Sequence, residues 1–129
     1  MKIETTGLIL YTRNYEETVK FYRIIFGLET LYTKENLTCL KLGSGYLMIE
    51  LDDEDQLNNP NKGCREKFCI RFNVKDVKQA IINLKKNNIP FEYYEYDWGQ
   101  LAKFKDPDGN LVGLRSSKDH LEDISKFNS

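Results

Sequence analysis

The chain has 129 residues, 40% hydrophobic and 30% charged, ordinary usage for one globular domain that can bury its own core without disulfides or a structural metal. A formal net charge of -1, with no basic cluster of five or more, argues against a nucleic-acid backbone or an anionic membrane as partner. No apolar run approaches the roughly 18 residues of a membrane span, and Met1 to Tyr11 lacks the pattern of a signal peptide, so a cytoplasmic protein is expected. The three cysteines, Cys39, Cys64 and Cys69, are odd in number and form no CxxC pair, which reads as free thiols.

Gly7 to Thr12 is a short apolar run that predicts a strand. Asn14 follows as a helix cap, with Glu17 placed to return the bond. Tyr15, Val19, Tyr22, Ile25 and Phe26 recur at helical spacing, and Gly27 supplies a left-handed residue to end the helix, predicted over Tyr15 to Phe26. Glu29 to Thr33, Thr38 to Leu42 and Tyr46 to Leu51 then read as a three-stranded meander, punctuated by Lys34-Glu35-Asn36 and Gly43-Ser44-Gly45.

Residues 52–67 are polar, contain Asn58-Asn59-Pro60-Asn61 and Gly63, and show no periodicity, as expected of a linker. The pattern then restarts. Phe68 to Val74 alternates as a half-buried strand. Asp76 caps a second helix with Gln79 in the capping-box position, Val77, Ala80, Ile81 and Leu84 forming its apolar stripe, and Asn87, Asn88 and Pro90 ending it. Phe91 to Trp98, Gln100 to Phe104 and Leu111 to Arg115 are the next strands, with Asp106-Pro107-Asp108-Gly109-Asn110 a turn between the last two. Leu121, Ile124 and Phe127 recur at spacing three in the tail, predicting a short C-terminal helix that packs on the domain. The expected organisation is an α+β domain of two βαβββ modules, residues 3–51 and 68–116, with a linker over 52–67 and a tail helix over 117–129. Aligning Thr12-Arg13-Asn14-Tyr15-Glu16-Glu17 with Val74-Lys75-Asp76-Val77-Lys78-Gln79 brings the halves into register as an internal repeat.

Two stretches carry a family resemblance. Leu10 through Tyr22, running to Phe26-Gly27-Leu28, and the turn Asp106-Pro107-Asp108-Gly109-Asn110-Leu111 resemble, in order and spacing, the vicinal oxygen chelate superfamily of glyoxalases, extradiol dioxygenases, and fosfomycin- and bleomycin-resistance proteins. Trp98-Gly99 and Asn73-Val74-Lys75-Asp76-Val77 extend the likeness to about residues 3–116. The resemblance implies a half-open, cup-shaped mixed sheet with helices outside and chemistry inside. Strand alternation then puts Leu8, Leu10, Ile70, Phe72, Val112 and Leu114 against the helices, and Ile9, Tyr11, Arg71, Asn73, Leu111 and Arg115 in the cup.

Metal-using members of this family take His or Glu from four strands, leaving coordination positions open for substrate or water. The matching positions here are Gly7, Glu50, Cys69 and Gly113, two of which have no side chain to coordinate with. The only histidine, His120, lies in the tail. No catalytic metal and no cofactor are expected.

The inward charges Glu50, Arg71 and Arg115 must be paired or solvated. They read either as a buried network or as one in which an arginine is left free for a ligand carboxylate or phosphate. Tyr94, Tyr96 and Trp98 fall on one face of their strand and Tyr93, Glu95 and Asp97 on the other, read either as an edge strand with half-exposed rings or as a wall for a planar or cationic ligand. The acids Asp52, Asp53, Glu54 and Asp55 add negative charge at the linker. The resemblance to metal-free bleomycin-resistance proteins implies a homodimer that binds a small molecule, cationic or aromatic, without converting it. The candidate ligand-binding residues are Tyr11, Tyr46, Met48, Arg71, Asn73, Tyr96, Trp98, Phe104 and Arg115. The alternative is a lyase, isomerase or dioxygenase-type enzyme with a divergent site, Glu50 as general base, Tyr11 or Tyr46 as acid, and Arg71 or Arg115 stabilising an oxyanion. A third is an interaction module whose cup is filled by its own side chains.

Overall fold

The computed structural model describes residues 2–52 and 68–127. The expected linker beyond Asp52, with Asp53, Glu54, Asp55 and Cys64, lies outside the described residues. The chain forms two compact units, Met1–Cys64 and Arg65–Ser129.

Unit 1 runs β1 (Gly7–Thr12), α1 (Tyr15–Ile25), β2 (Thr30–Lys34), β3 (Leu37–Leu42) and β4 (Gly45–Leu51). Its sheet has the order β1-β4-β3-β2, with β1 parallel to β4 and the other pairs antiparallel. The parallel pair arises because α1 and two further strands intervene between β1 and β4, whereas tight turns join β2, β3 and β4. The core is Tyr22 from α1 with Leu40, Leu47 and Ile49 from the sheet, all fully buried. Phe21 meets Tyr22 edge to face at 5.1 Å, and Tyr22 stacks with Phe26 at 6.0 Å. Gly27 ends the helix in the left-handed region, φ 63°, and the Leu28 amide closes back onto the Tyr22 carbonyl at 3.4 Å.

Unit 2 repeats the plan with β5 (Cys69–Val74), α2 (Val77–Lys86), β6 (Glu92–Tyr96), β7 (Gly99–Lys105) and β8 (Leu111–Ser116), then adds α3 (Ser117–Phe127). The sheet order is β5-β8-β7-β6, again with one parallel pair, β5 and β8. Val77, Leu84, Ala102, Phe104, Val112 and Leu114 form its core. The Asp106 turn is held by its own side chain. One carboxylate oxygen accepts from the amides of Asp108 (2.9 Å) and Asn110 (2.8 Å), the other from the Asn110 side chain (2.8 Å), with Gly109 at φ 88°. No helix among the described residues is long and apolar enough to cross a membrane.

Both modules are therefore βαβββ, and four details depart from expectation. Asn14 makes no side-chain capping bond, because its ψ of 55° lies outside the extended region a capping residue normally adopts. The amide of Asn14 instead donates to Thr12 Oγ1 (3.0 Å), and Thr12 pairs with Thr18 across the buried start of α1 (3.2 Å). The cap of α2 forms as expected, Asp76 accepting from the Gln79 amide at 3.2 Å. Leu8 is on the helix-facing side of β1 yet 44% exposed. Strand β6 stops at Tyr96, since Asp97 and Trp98 turn into Gly99 at φ 135°. Helix α3 exists, but Leu121 and Ile124 are exposed, and its acidic side chains supply the bonds to the sheet described below.

Candidate functional site

In unit 1 the register puts Gly7, Ile9 and Tyr11 of β1 on one face with Tyr46, Met48 and Glu50 of β4 and with Leu37, Cys39 and Lys41 of β3. Tyr11 and Glu50 are direct partners, so the two groups expected to act as acid and base stand side by side on neighbouring strands. Both are half-buried. At the other end of this face the Tyr46 ring lies directly over Gly7, where any Cβ would collide with it. A histidine at position 7 would have to displace that ring. Cys39 is buried against Tyr32, whose phenol is held above its usual range, first by loss of solvent and then by Cys39 and Tyr46.

The residues present do not fit the divalent metal of the enzymatic relatives. Gly7 is covered by an aromatic ring and Gly113 has the Cys69 thiol 3.3 Å from where its Cβ would stand, which leaves one donor in each unit, Glu50 and Cys69. Among the described residues no group of three or more His, Cys, Asp or Glu side chains is placed to hold a metal ion. His120 is exposed on α3.

In unit 2 the rings of Tyr94, Tyr96 and Trp98 form a continuous stack, 5.8 Å between the first two and 4.8 Å between the last. Arg115 extends it, its guanidinium 4.9 Å from the Trp98 ring. Alternation along β6 explains the Tyr94–Tyr96 step, because residues two apart share a face, and the turn after Tyr96 brings Trp98 onto the same stack. Each inner ring is already stacked on its neighbour, so the ring edges of Tyr96 and Trp98, both 46% exposed, are what remain for a ligand. Arg115 is only 6% exposed. It donates to Asp123 of α3 at 2.7 Å and to the Trp98 carbonyl at 3.3 Å, while its Nε has no hydrogen-bond partner among the described residues. The expected choice between a structural network and a free arginine therefore divides between two residues. Arg115 is paired by the chain itself; Arg71 is exposed with no ion pair among the described residues.

Beside this stack lies a cavity of about 530 Å³, bordered by Tyr96 and Trp98, by the acids Glu95, Asp97, Asp119, Glu122 and Asp123, and by Lys126. Asp119 is anchored there by accepting from the Gln100 amide at 3.3 Å, an approach that needs a glycine at position 99. Glu95 accepts from the Tyr93 hydroxyl at 2.8 Å and pairs with Lys78 at 3.5 Å. The Tyr93 phenol is pushed up to about 12, by loss of solvent and then by this hydrogen bond, and the same bond with Lys78 holds Glu95 below its usual range.

The opposite end of the sheet has a different character. Register places Arg71, Gly113, Lys103 and Glu92 in one row across all four strands, with Asn73, Arg115, Leu101 and Tyr94 in the next. Of the expected ligand-binding residues, Arg71, Asn73, Arg115 and Tyr96 share this face. Phe104 does not: it pairs with Val112 on the side that carries the core and is 4% exposed. A second cavity, about 400 Å³, is bordered by Pro90, Phe91, Phe104 and Leu111 with Lys103, Lys105 and Glu92.

Sequence reasoning missed Asp119, Glu122 and Asp123, because they sit in the tail outside the repeat and only the fold of α3 brings them to Trp98. It missed Lys103 as well, although alternation from Leu101 carried the signal.

The sequence matches the family model for the Glyoxalase/Bleomycin resistance protein/Dioxygenase superfamily over residues 3–114. A search of curated proteins finds no match at the sequence level. Among solved structures, the chain is similar to a lactoylglutathione lyase from Agrobacterium tumefaciens, with 23% identity over 88% of this chain and 92% of that one and a TM-score of 0.68. It is similar also to TnmS3, an antibiotic binding protein from Streptomyces sp. CB03234, with 18% identity, coverage of 89% and 96% and a TM-score of 0.67. A third is the oxidase ChaP-H2, with 16% identity, coverage of 90% and 94% and a TM-score of 0.69. At these identities the structures speak for the fold, and they span a lyase, a binding protein and an oxidase. With the profile covering most of the chain and the βαβββ plan present in both units, the chain belongs to the glyoxalase/bleomycin resistance protein/dioxygenase superfamily.

Proposed function

We propose that this protein binds a small molecule without a catalytic metal. The observation that carries the reading is the chemistry of the four positions where metal-using relatives place ligands: two are glycines, and the space over Gly7 is filled by the Tyr46 ring. A tight site needs three or four protein donors, and Glu50 and Cys69 supply at most two. The acid-lined cavity next to the exposed edges of Tyr96 and Trp98 supports a cationic or aromatic ligand, held by carboxylates and ring edges rather than by stacking on a free ring face. The antibiotic-binding neighbour gives a precedent for binding on this fold. Homodimerisation and a cytoplasmic location belong to the same proposal.

A second reading, an enzyme of lyase, isomerase or dioxygenase type, is favoured by the pairing of Tyr11 with Glu50, which would set a phenol beside a general base. Metal titration separates the two in the usual form of such enzymes. Purified protein is assayed for bound metal and titrated with zinc, nickel, manganese and iron(II) by calorimetry. No stoichiometric binding is expected; submicromolar binding at one ion per chain would overturn the metal-free reading.

A further inference from the structure

We infer that unit 2 holds a small amphipathic oxyanion, a carboxylate or phosphate with an apolar body, with its charged group over Gly113 between Arg71 and Lys103. The inference rests on the metal-free binding proposed above and names the chemical class of one ligand.

Arg71 on β5, Gly113 on β8 and Lys103 on β7 stand in one row, so their side chains leave the same face of the sheet. Neighbouring strands are roughly 4.8 Å apart, which sets the two cationic residues about 10 Å apart with a side-chain-free strand between them. That spacing lets two long side chains converge on one group lying over the glycine. Gly113 has no need of its conformational freedom, since its φ is not in the left-handed region. What it provides is a row position without a side chain; the residue itself is buried, and the Cys69 thiol stands 3.3 Å from where a Cβ would be.

Neither cation is ion-paired among the described residues, and neither is Lys105. Glu92, the cross-strand partner of Lys103, accepts a hydrogen bond from Tyr94 along its own strand and keeps its charge, so Arg71 is the less compensated of the two cations. Two like charges held across one gap repel, and an anion between them removes the repulsion while gaining charge-assisted hydrogen bonds, for which the guanidinium fork is suited.

The apolar body follows from the second cavity. Its border shares Lys103 and Glu92 with this row, adds Lys105 from the same face of β7, and is otherwise made of Pro90, Phe91 and Leu111 with Phe104 from the core side. A cavity of about 400 Å³ accepts a single ring or a short chain, and one mostly apolar wall with a few placed charges is the usual makeup of a small-molecule site. Charge at one end and an apolar wall at the other select an amphipathic anion over inorganic phosphate.

The test uses benzoate and phenyl phosphate as probes, titrated calorimetrically into the full chain at low salt, alone and with added zinc. Benzyltrimethylammonium serves as a cationic probe. Binding of one or both anions without zinc is expected, with the stronger of the two identifying carboxylate or phosphate as the preferred head group, and acetate or inorganic phosphate binding at least 10-fold more weakly. Arg71→Gln and Lys103→Gln should each weaken the anion about 10-fold. Arg71 is exposed and Lys103 half-buried, and Gln keeps most of the length of each side chain, so the fold should tolerate them. Gly113→Glu, which plants a carboxylate between the two cations, should abolish anion binding; because its Cβ would stand 3.3 Å from the Cys69 thiol at a buried position, it is compared in a Cys69→Ala background, which relieves that crowding, with the melting temperature read beside it.

Undiminished binding in the Arg71→Gln/Lys103→Gln double variant overturns the inference. Failure of both anions where the cationic probe binds also overturns it and leaves metal-free binding standing, whereas anion binding that appears only with zinc overturns the metal-free reading itself.

Discussion

Removing the carboxylate of Asp123 tests whether α3 is fastened to unit 2 by charge. Asp123→Ala leaves the Arg115 guanidinium, whose side chain is 7% exposed, without the partner now at 2.7 Å. Breaking a fully buried pair by deleting one member costs about 3–5 kcal/mol, and a fully exposed pair is worth about 0–1 kcal/mol. Asp123 is 41% exposed, so water screens one side of the pair and the expected loss falls between these limits, about 1–3 kcal/mol. At roughly 3–4 °C per kcal/mol for a domain of this size, the midpoint should drop by about 3–12 °C. Trp98 is the only tryptophan and lies under the same guanidinium, so its fluorescence should change as α3 loosens. The decisive comparison is with Arg115→Met/Asp123→Ala. Deleting both charges removes the stranded ion, so the double variant should be more stable than Asp123→Ala alone. Equal or lower stability of the double variant, or a loss below about 0.5 kcal/mol in the single one, would refute a partly buried ion pair as the fastening.

Asp106→Ala removes the acceptor of three hydrogen bonds and should cost about 2–4 kcal/mol in urea unfolding, while Asp106→Asn/Asn110→Asp should recover part of that by exchanging donor and acceptor. Gly7→Ala should lose about 1–3 kcal/mol through its clash with Tyr46, and the loss should shrink in a Tyr46→Ala background; equal losses in both would refute the contact. Tyr93 titrates in the fold at about 12, above the ordinary phenol value of 10.0. Its contribution to stability is therefore complete below pH 10 and is lost as pH rises through about 12. Phenolate absorbance, read as the difference between wild type and Tyr93→Phe, should place this titration near 12, and Glu95→Gln should bring it down towards 10.

The periodicities were enough for the two βαβββ modules, since hydrophobic alternation and capping are local properties of the chain. The cap at Asp76, the helix end at Gly27 and the aspartate turn at Asp106 were legible for the same reason: each motif places its own donors and acceptors within a few residues. The loss of side chains at Gly7 and Gly113 was legible too, because an absent ligand needs no neighbour to interpret it. Alternation carried the faces of both sheets, but Leu8 faces the helix side and stays 44% exposed, and Phe104, expected among the ligand-binding residues, pairs with Val112 on the core side. Only the tertiary structure could place the Tyr46 ring over Gly7, bring Asp119 and Asp123 to Trp98 and Arg115, and line up Arg71, Gly113 and Lys103 in one row. Those relations depend on strand register and on where a helix folds back, which are set by packing between residues far apart in the chain, and no window of sequence contains them.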